Sequence, residues 1–526
     1  MYLLRFPYLY IMIWRFIAFL IICTSCANIK GIEGGKEDKT APKIVLSKSS
    51  PNQQTNFRPK EIKLNFNEWI ALQNPTQNVI VSPSVNYPIK FRLKGKTVHL
   101  EFDKREVLKD STTYSISFGN AIEDITAKNK ANNIKFVFST GSYIDSLSLH
   151  GFVLDAFTKE PVEKAVVVLY EENSDTAFTT KKPNYISFCD KKGAFSFSNV
   201  KAANFSIYAI TDNNQNYYYD QKTESIAFLE HTVNPSIDTL KSIVLMHSKE
   251  LLPLKIISIK EMDGHSRILF NQKPNKFQVI DLMNISIPSL ISKDTLFVYN
   301  MTHEKQTAIV QYEEKNDTLH IPIPKRNSKR SNRIVAENTL LKPFQKLMLQ
   351  AKIPILSFDR NLIHTSFTSQ ENAIKINPLN PHQLVIEVPK SERREYVLLD
   401  SLAIRFQDSS THRMDTFFYS QMLEENLTNV ELTIDSLKDQ MQYIIQLVKE
   451  NSVIEEKIVL AEKNQCKVEF IHVIPGKYRV KLIEDQNKNG RWDPAQWDKK
   501  VLPEKVILWD IQELRADWKL KLELKP

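Results

Sequence analysis

The sequence predicts an all-β protein, a run of tandem antiparallel β-sandwiches behind an N-terminal export segment. Three observations carry this. Apolar runs of roughly four to seven residues, with alternating or continuous character, recur every 8 to 15 residues from Ala41 onward. They are rich in β-branched and aromatic residues and are broken by Asn, Asp, Pro, Ser and Lys. Helical periodicity is almost missing: the best candidate, Ser436–Glu450, competes with a strand at Tyr443–Val448. At about 150 residues per domain, 526 residues suggest three or four domains. Glycine is scarce, 11 of 526, and no GxGxxG, GxxxxGK[ST] or GxSxG occurs. The common phosphate-binding loops and the nucleophile elbow are therefore absent. The 11 histidines form no HExxH.

The N-terminus reads as an address. Arg15 precedes an apolar run, Phe16 to Cys23, too short and too near the start for a membrane span, so it reads as a secretory signal. Met12 would serve equally well as its start. The run ends in Ile22-Cys23-Thr24-Ser25-Cys26, which resembles a bacterial lipobox, with Cys23 where Leu is usual. The resemblance implies a lipoprotein signal peptide at 1–25, cleaved before Cys26, whose thiol then carries diacylglycerol. Each buried methylene contributes about 0.8 kcal/mol, so two or three acyl chains hold a water-soluble body on a membrane. The alternative is an uncleaved N-terminal helix. Residues 26–40 would form the lipidated tether; they are polar and hold three of the glycines.

The first unit, 41–141, has strands at Glu61–Phe66, Thr97–Phe102, Tyr114–Phe118 and Lys135–Ser139. Its markers are Ala41-Pro42-Lys43-Ile44, Ile62-Lys63-Leu64-Asn65-Phe66-Asn67-Glu68, Leu108 to Tyr114, and Phe136 to Gly141. In these it resembles the bacterial Ig-like domain related to surface-layer modules, common in lipoproteins of the Bacteroidota. Glu68 and Asp124 sit beside strand ends and read as solvated turn residues. The second unit, 148–247, runs from Leu149-His150-Gly151 through the Val166–Tyr170 run to Asp190-Lys191-Lys192-Gly193. It is similar to carboxypeptidase-regulatory or transthyretin-like sandwiches, a resemblance that implies a scaffold or binder. The stretch 250–420 reads as one or two divergent Ig-like units.

The last unit, 425–526, is identified through an internal repeat. Phe197, Val200, Phe205, Asp212, Asn214, Asn216 and Asp220 recur, all at one constant offset, as Phe470, Val473, Tyr478, Asp485, Asn487, Asn489 and Asp493. A second match, Val168–Asn173 with Gln446–Asn451 at a slightly larger offset, favours the strand at 443–448. The chain thus holds two copies of one sandwich type.

In each copy the Asp-Asn stretch is a candidate metal site. Asp485, Asn487, Asn489 and Asp493 place oxygens at positions 1, 3, 5 and 9, and Gly490 stands at position 6, as in calcium loops. The acid of position 12 is missing, since Gln496 is there. In the first copy, Asp212, Asn214, Asn216 and Asp220 keep the spacing but Tyr217 replaces the glycine. Calcium is the only cofactor suggested; the bland reading is an Asx-rich turn.

Asp followed by Ser or Thr and then by an aliphatic residue or Thr occurs eight times and resembles the O-glycosylation acceptor of Bacteroidota secreted proteins. The eight offer Ser111, Ser146, Thr176, Thr239, Thr295, Thr318, Ser401 and Ser436. The same dipeptides also arise where a turn hands over to a strand. Cys189 and Cys466 fall in separate predicted domains, show no zinc spacing and read as ordinary strand residues. The net charge of +9 is too thin for a nucleic-acid stripe, so no nucleic-acid partner is expected. One cluster, Lys325, Arg326, Lys329, Arg330 and Arg333, reads as a solvated loop or as a contact for lipid headgroups or acidic glycans.

Together these features predict a non-enzymatic, lipid-anchored protein of a Gram-negative cell envelope, on the outer membrane, with a structural, adhesive or scaffolding role. Its expected partners are the membrane, other envelope proteins or glycans. The alternative is a carbohydrate-binding accessory lipoprotein using Tyr217, Tyr218, Tyr219, Trp492 or Trp497.

Overall fold

The computed structural model describes residues 38–526 apart from 132–133, 172–175, 239, 263, 275, 303, 324, 326–330 and 368–372. Cys26, the signal segment and most of the tether lie outside the described residues, as does Thr239. The chain is nearly all β and is built of multiple, mainly antiparallel sheets. Among the described residues no helix is long and apolar enough to cross a membrane. The chain divides into two compact units, one formed chiefly by residues up to Ser146 and one by the remainder.

The first unit packs small sheets around one core. Glu61–Asn65 pairs with Thr97–Glu101, which pairs with Lys90–Lys94; Ile80–Ser82 pairs with Thr113–Ser117, which pairs with Lys135–Ser139. Alternation places Ile62, Leu64, Val98, Leu100, Ile116 and Phe138 inside. A tyrosine pins one corner: the Lys109 N–H donates to the Tyr114 Oη at 2.9 Å. The intervening Ser111 takes a left-handed φ of 46°.

In the second unit the repeat is visible as one strand order drawn twice. The first copy has β1 (Leu147–Asp155), β2 (Val166–Tyr170), β3 (Tyr185–Phe188), β4 (Ala194–Val200), β5 (Ser206–Ile210), β6 (Ser225–Phe228) and β7 (Ser242–Lys249). The second copy has β8 (Thr428–Ile434), β9 (Gln442–Lys449), β10 (Ser452–Leu460), β11 (Cys466–Val473), β12 (Arg479–Asp485), β13 (Val506–Asp510) and β14 (Lys519–Leu524). The order β3-β2-β5-β6 corresponds to β10-β9-β12-β13, and β7-β1-β4 to β14-β8-β11. In both copies the first and last strands pair in parallel, β1 with β7 and β8 with β14. One difference is that β6 also pairs with β7, so the first copy's two sheets join along that edge. Residues 442–449 are therefore strand, as the repeat requires, and the competing helical periodicity is not used. The same tyrosine corner recurs: the Lys438 N–H donates to the Tyr443 Oη at 2.9 Å, and the intervening Gln440, placed as Ser111 is, takes a φ of 58°.

Between the two copies in sequence lie two further groups of sheets with separate cores. Residues 256–321 enclose Ile268, Phe270, Leu296, Val298 and Val310. Residues 331–421 enclose Leu347, Leu349, Leu384, Val397 and Tyr419.

The strands β2 and β9 are buried on both faces, which explains their unbroken apolar character. One face of each lies inside its own sandwich. The outer face of β2, with Val166, Val168 and Tyr170, packs on Phe178, Tyr208, Tyr219 and Phe228, and on Ala495 and Trp497 from the second copy. The outer face of the second copy, with Ile444, Ile483 and Val506, packs on Trp492 and on Phe157 from the first. The two repeats thus exchange aromatic side chains.

This packing sets two expectations. Replacing Trp497 with Ala empties a site lined by the rings of Phe178, Tyr208 and Phe228 and should cost about 3–5 kcal/mol in chemical denaturation. The exposed Trp69 serves as the control, and its replacement should change stability by less than about 0.5 kcal/mol. The second concerns His247 and His382, whose burial lowers their pKa values to about 4. In the unfolded chain these histidines protonate near their ordinary value of about 6.5, so below that pH the unfolded chain binds more protons than the fold does. Stability is accordingly lost as pH falls from about 6.5 to about 4, by at most about 1.4 kcal/mol per unit per histidine. Urea melts at pH 7 and 4.5 should show a smaller difference for His247→Gln than for the wild type.

Candidate functional site

The four polar positions of each Asp-Asn loop come together, in the gap after β5 in the first copy and after β12 in the second. Asp485 is fully buried; its carboxylate accepts the Asn489 N–H at 3.0 Å and the Gly490 N–H at 2.7 Å. Asn487 Oδ1 accepts from Asn489 N–H and Asn489 Oδ1 from Arg491 N–H. The side-chain amides of Asn487 and Asn489 both donate to Asp493 Oδ2. The first loop repeats this bond for bond. Asp212 accepts the N–H groups of Asn216 and Tyr217 at 3.1 and 3.0 Å. Asn214 Oδ1 and Asn216 Oδ1 accept the N–H groups of Asn216 and Tyr218. The amides of Asn214 and Asn216 donate to Asp220.

The backbone matches too. Gln215 and Lys488 at position 4 have φ of 62° and 58°; Tyr217 and Gly490 at position 6 have 67° and 77°. Tyr217 thus holds the left-handed conformation that glycine adopts without steric cost.

A residue that sequence spacing did not reveal completes each loop. Glu224 is fully buried, and its Oε1 accepts the Asn213 N–H at 3.1 Å. Glu504, also buried, accepts the Gln486 N–H at 2.8 Å and the Asp493 N–H at 3.0 Å. Asn213 and Gln486 are the second residues of their loops, so the two glutamates are equivalent in place though not in spacing. Burial raises the pKa of both, that of Glu504 to about 7. Their backbone donors oppose the shift, and the loop aspartates add to it. Among the described residues, no three His, Cys, Asp or Glu side chains are grouped so as to hold a metal by themselves. A cation here would lean on asparagine oxygens as well.

Both loops lead into the junction of the repeats. After the second loop, the Ala495 N–H donates to Ser248 Oγ at 3.0 Å, and the Trp497 N–H donates to Glu250 Oε1. Within the first, Tyr219 Oη donates to Glu250 Oε2 at 2.7 Å. Trp497 lies 5.1 Å from Phe178 and 5.4 Å from both Tyr208 and Phe228, ring centre to ring centre. Trp492 packs on Phe157 at 5.0 Å, and Lys481 Nζ lies 3.4 Å over the same phenylalanine ring. Burial lowers the Lys481 pKa to about 8.

This placement corrects the expectation for the aromatic residues. Tyr219 and Trp497 are buried at 4% and 6% exposure, and Tyr217, Tyr218 and Trp492 are half-buried, so these rings form no open glycan platform. Asp124 is likewise buried rather than solvated; it accepts the N–H groups of Ala127, Lys128 and Asn129.

Among the hydroxyls that resemble glycan acceptors, Ser111, Ser146, Thr176, Thr318, Ser401 and Ser436 are exposed. Thr295 is a correction: it is buried on a strand and donates to Asp294, so no glycan fits there. Cys466 opens β11 and Cys189 follows β3. Both are buried free thiols, and burial raises their pKa values to about 11 and about 12. Of the basic cluster, Lys325 and Arg333 are among the described residues, and Arg333 is exposed.

Residues 38–140 match the bacterial Ig-like domain family. No curated protein matches the chain. Among solved structures, the TIE protein of Bacillus anthracis is 11% identical, with 94% of this chain and 76% of that one covered, at a TM-score of 0.15. The surface layer protein SbsC, domains 1–6, is 11% identical over 91% of this chain and 68% of that one, also at 0.15. BcpA, the major pilin subunit of Bacillus cereus, is 10% identical over 72% and 99%, again at 0.15.

Proposed function

We propose that this chain is a lipid-anchored, non-catalytic protein of the bacterial cell envelope, with a structural, adhesive or scaffolding role. The single observation that carries the reading is the match of residues 38–140 to a bacterial Ig-like domain, at the head of a chain built of further sandwiches. Such modules present loops at the ends of rigid sheets, where binding contacts are made without a reaction centre. The duplicated seven-strand unit, with its parallel first and last strands, is read as transthyretin-like. The lipobox-like Ile22–Cys26 supplies the anchor in this reading, and the outer membrane is the proposed location. Exposed Ser111, Ser146, Thr176, Thr318, Ser401 and Ser436 are the proposed glycan-bearing hydroxyls. Glycan capture by the chain itself has less support, because the aromatic rings that suggested it are used between the repeats.

The test is mass spectrometry of the mature N-terminus from native cells, with fractionation of a Cys26→Ser variant. The expected result is a chain beginning at an acylated Cys26, and loss of the variant from washed membranes. An unprocessed N-terminus, with the variant retained like the wild type, would contradict the anchor.

A further inference from the structure

We propose that the two Asp-Asn loops are a matched pair of calcium sites, one in each repeat, with Glu224 and Glu504 as the carboxylates that complete them. The first support is their joint retention. The two copies share few residues, yet both keep the oxygen-bearing positions 1, 3, 5 and 9, and both add a buried glutamate on the N–H of the second loop residue. Glu224 follows Asp212 more closely in sequence than Glu504 follows Asp485, so simple duplication of a turn does not account for the two glutamates.

The second support is an oxygen with nothing to hold. Glu224 is fully buried, its Oε1 is fixed beneath the first loop by the Asn213 N–H, and its Oε2 has no hydrogen-bond partner. A buried carboxylate in that state is costly unless a positive charge joins it. In the second loop Asp485, Asp493 and Glu504 are all buried, and Arg491 pairs with one of them, its Nε 3.2 Å from Asp493 Oδ1. The third support is the left-handed Tyr217, which keeps the calcium-loop backbone where no glycine is present.

The donors name the class of ion. They are carboxylate and amide oxygens, with no thiol or imidazole, which selects a hard cation. A loop of this spacing, with several amide oxygens and room for a variable coordination number, suits calcium better than magnesium. A half-turn of each asparagine amide would present oxygen in place of the N–H that now faces Asp493 or Asp220, and would give up the backbone N–H that the same oxygen now accepts. Because the first loop contains Tyr219 and the second runs on to Ala495 and Trp497, an ion in either would stiffen the junction at Glu250. The sites stand whether or not Cys26 carries lipid.

The test uses the full-length chain, stripped with EDTA and titrated with calcium chloride alone in a calorimeter, with thermal melts alongside. The expected result is two calcium ions per chain and a melting point raised by roughly 5 °C or more at saturation. Glu224→Gln and Glu504→Gln should each lose one binding equivalent. Without calcium, Glu224→Gln should be at least as stable as the wild type, since it removes a buried charge; with calcium, the wild type should overtake it. The proposal is overturned by an absence of binding heat up to about 10 mM, well above the weakest extracellular sites. It is equally overturned if Glu224→Gln stays the more stable protein at every calcium concentration. An equal response to magnesium chloride would overturn the assignment to calcium.

Discussion

The second unit depends on Trp497, which belongs to one repeat and packs in the outer aromatic cluster of the other. Its ring completes the cover over β2, and its backbone N–H ends on Glu250, which also takes the Tyr219 hydroxyl. Without it, Val166, Val168 and Tyr170 would lose part of that cover. Phe157 works in the opposite direction, against Ile444, Ile483 and Val506. Each repeat therefore uses its neighbour to bury a sheet face that a lone sandwich would leave exposed. That mutual dependence brings together two sandwiches separated in sequence by both of the central groups of sheets.

The polar loops belong to the same construction. They begin at aspartates beside the ends of β5 and β12 and end in the residues that make the junction. Their side chains replace the hydrogen bonds that an irregular backbone cannot make with itself. Burial of Glu224 and Glu504 beneath them is the feature that turn-making alone does not explain.

Much of this was legible in the sequence. Strands such as Thr428–Ile434 alternate so cleanly that one face is plainly inside. The repeat settled Gln442–Lys449 as strand where local periodicity left a helix open, because a duplicated fold constrains both copies at once. The junction was not legible. A tryptophan between two strands has the same appearance whether it meets a sugar, solvent or another sheet, and only the fold brings Trp497 to Phe178. The two glutamates escaped for a related reason. Their distance from the loop differs between copies, so no fixed spacing exists to find. Thr295 shows the same limit, since a dipeptide reads alike at an exposed turn and on a buried strand.

Native-state hydrogen exchange at the Ala495 and Trp497 amides tests the exchanged packing most directly. If the two repeats bury each other, these loop amides open only with the surrounding sheets, and their protection equals that of the β2 and β9 amides. Exchange at the rate of an exposed loop, while β2 and β9 stay protected, would show that the repeats stand apart in solution and would contradict the account.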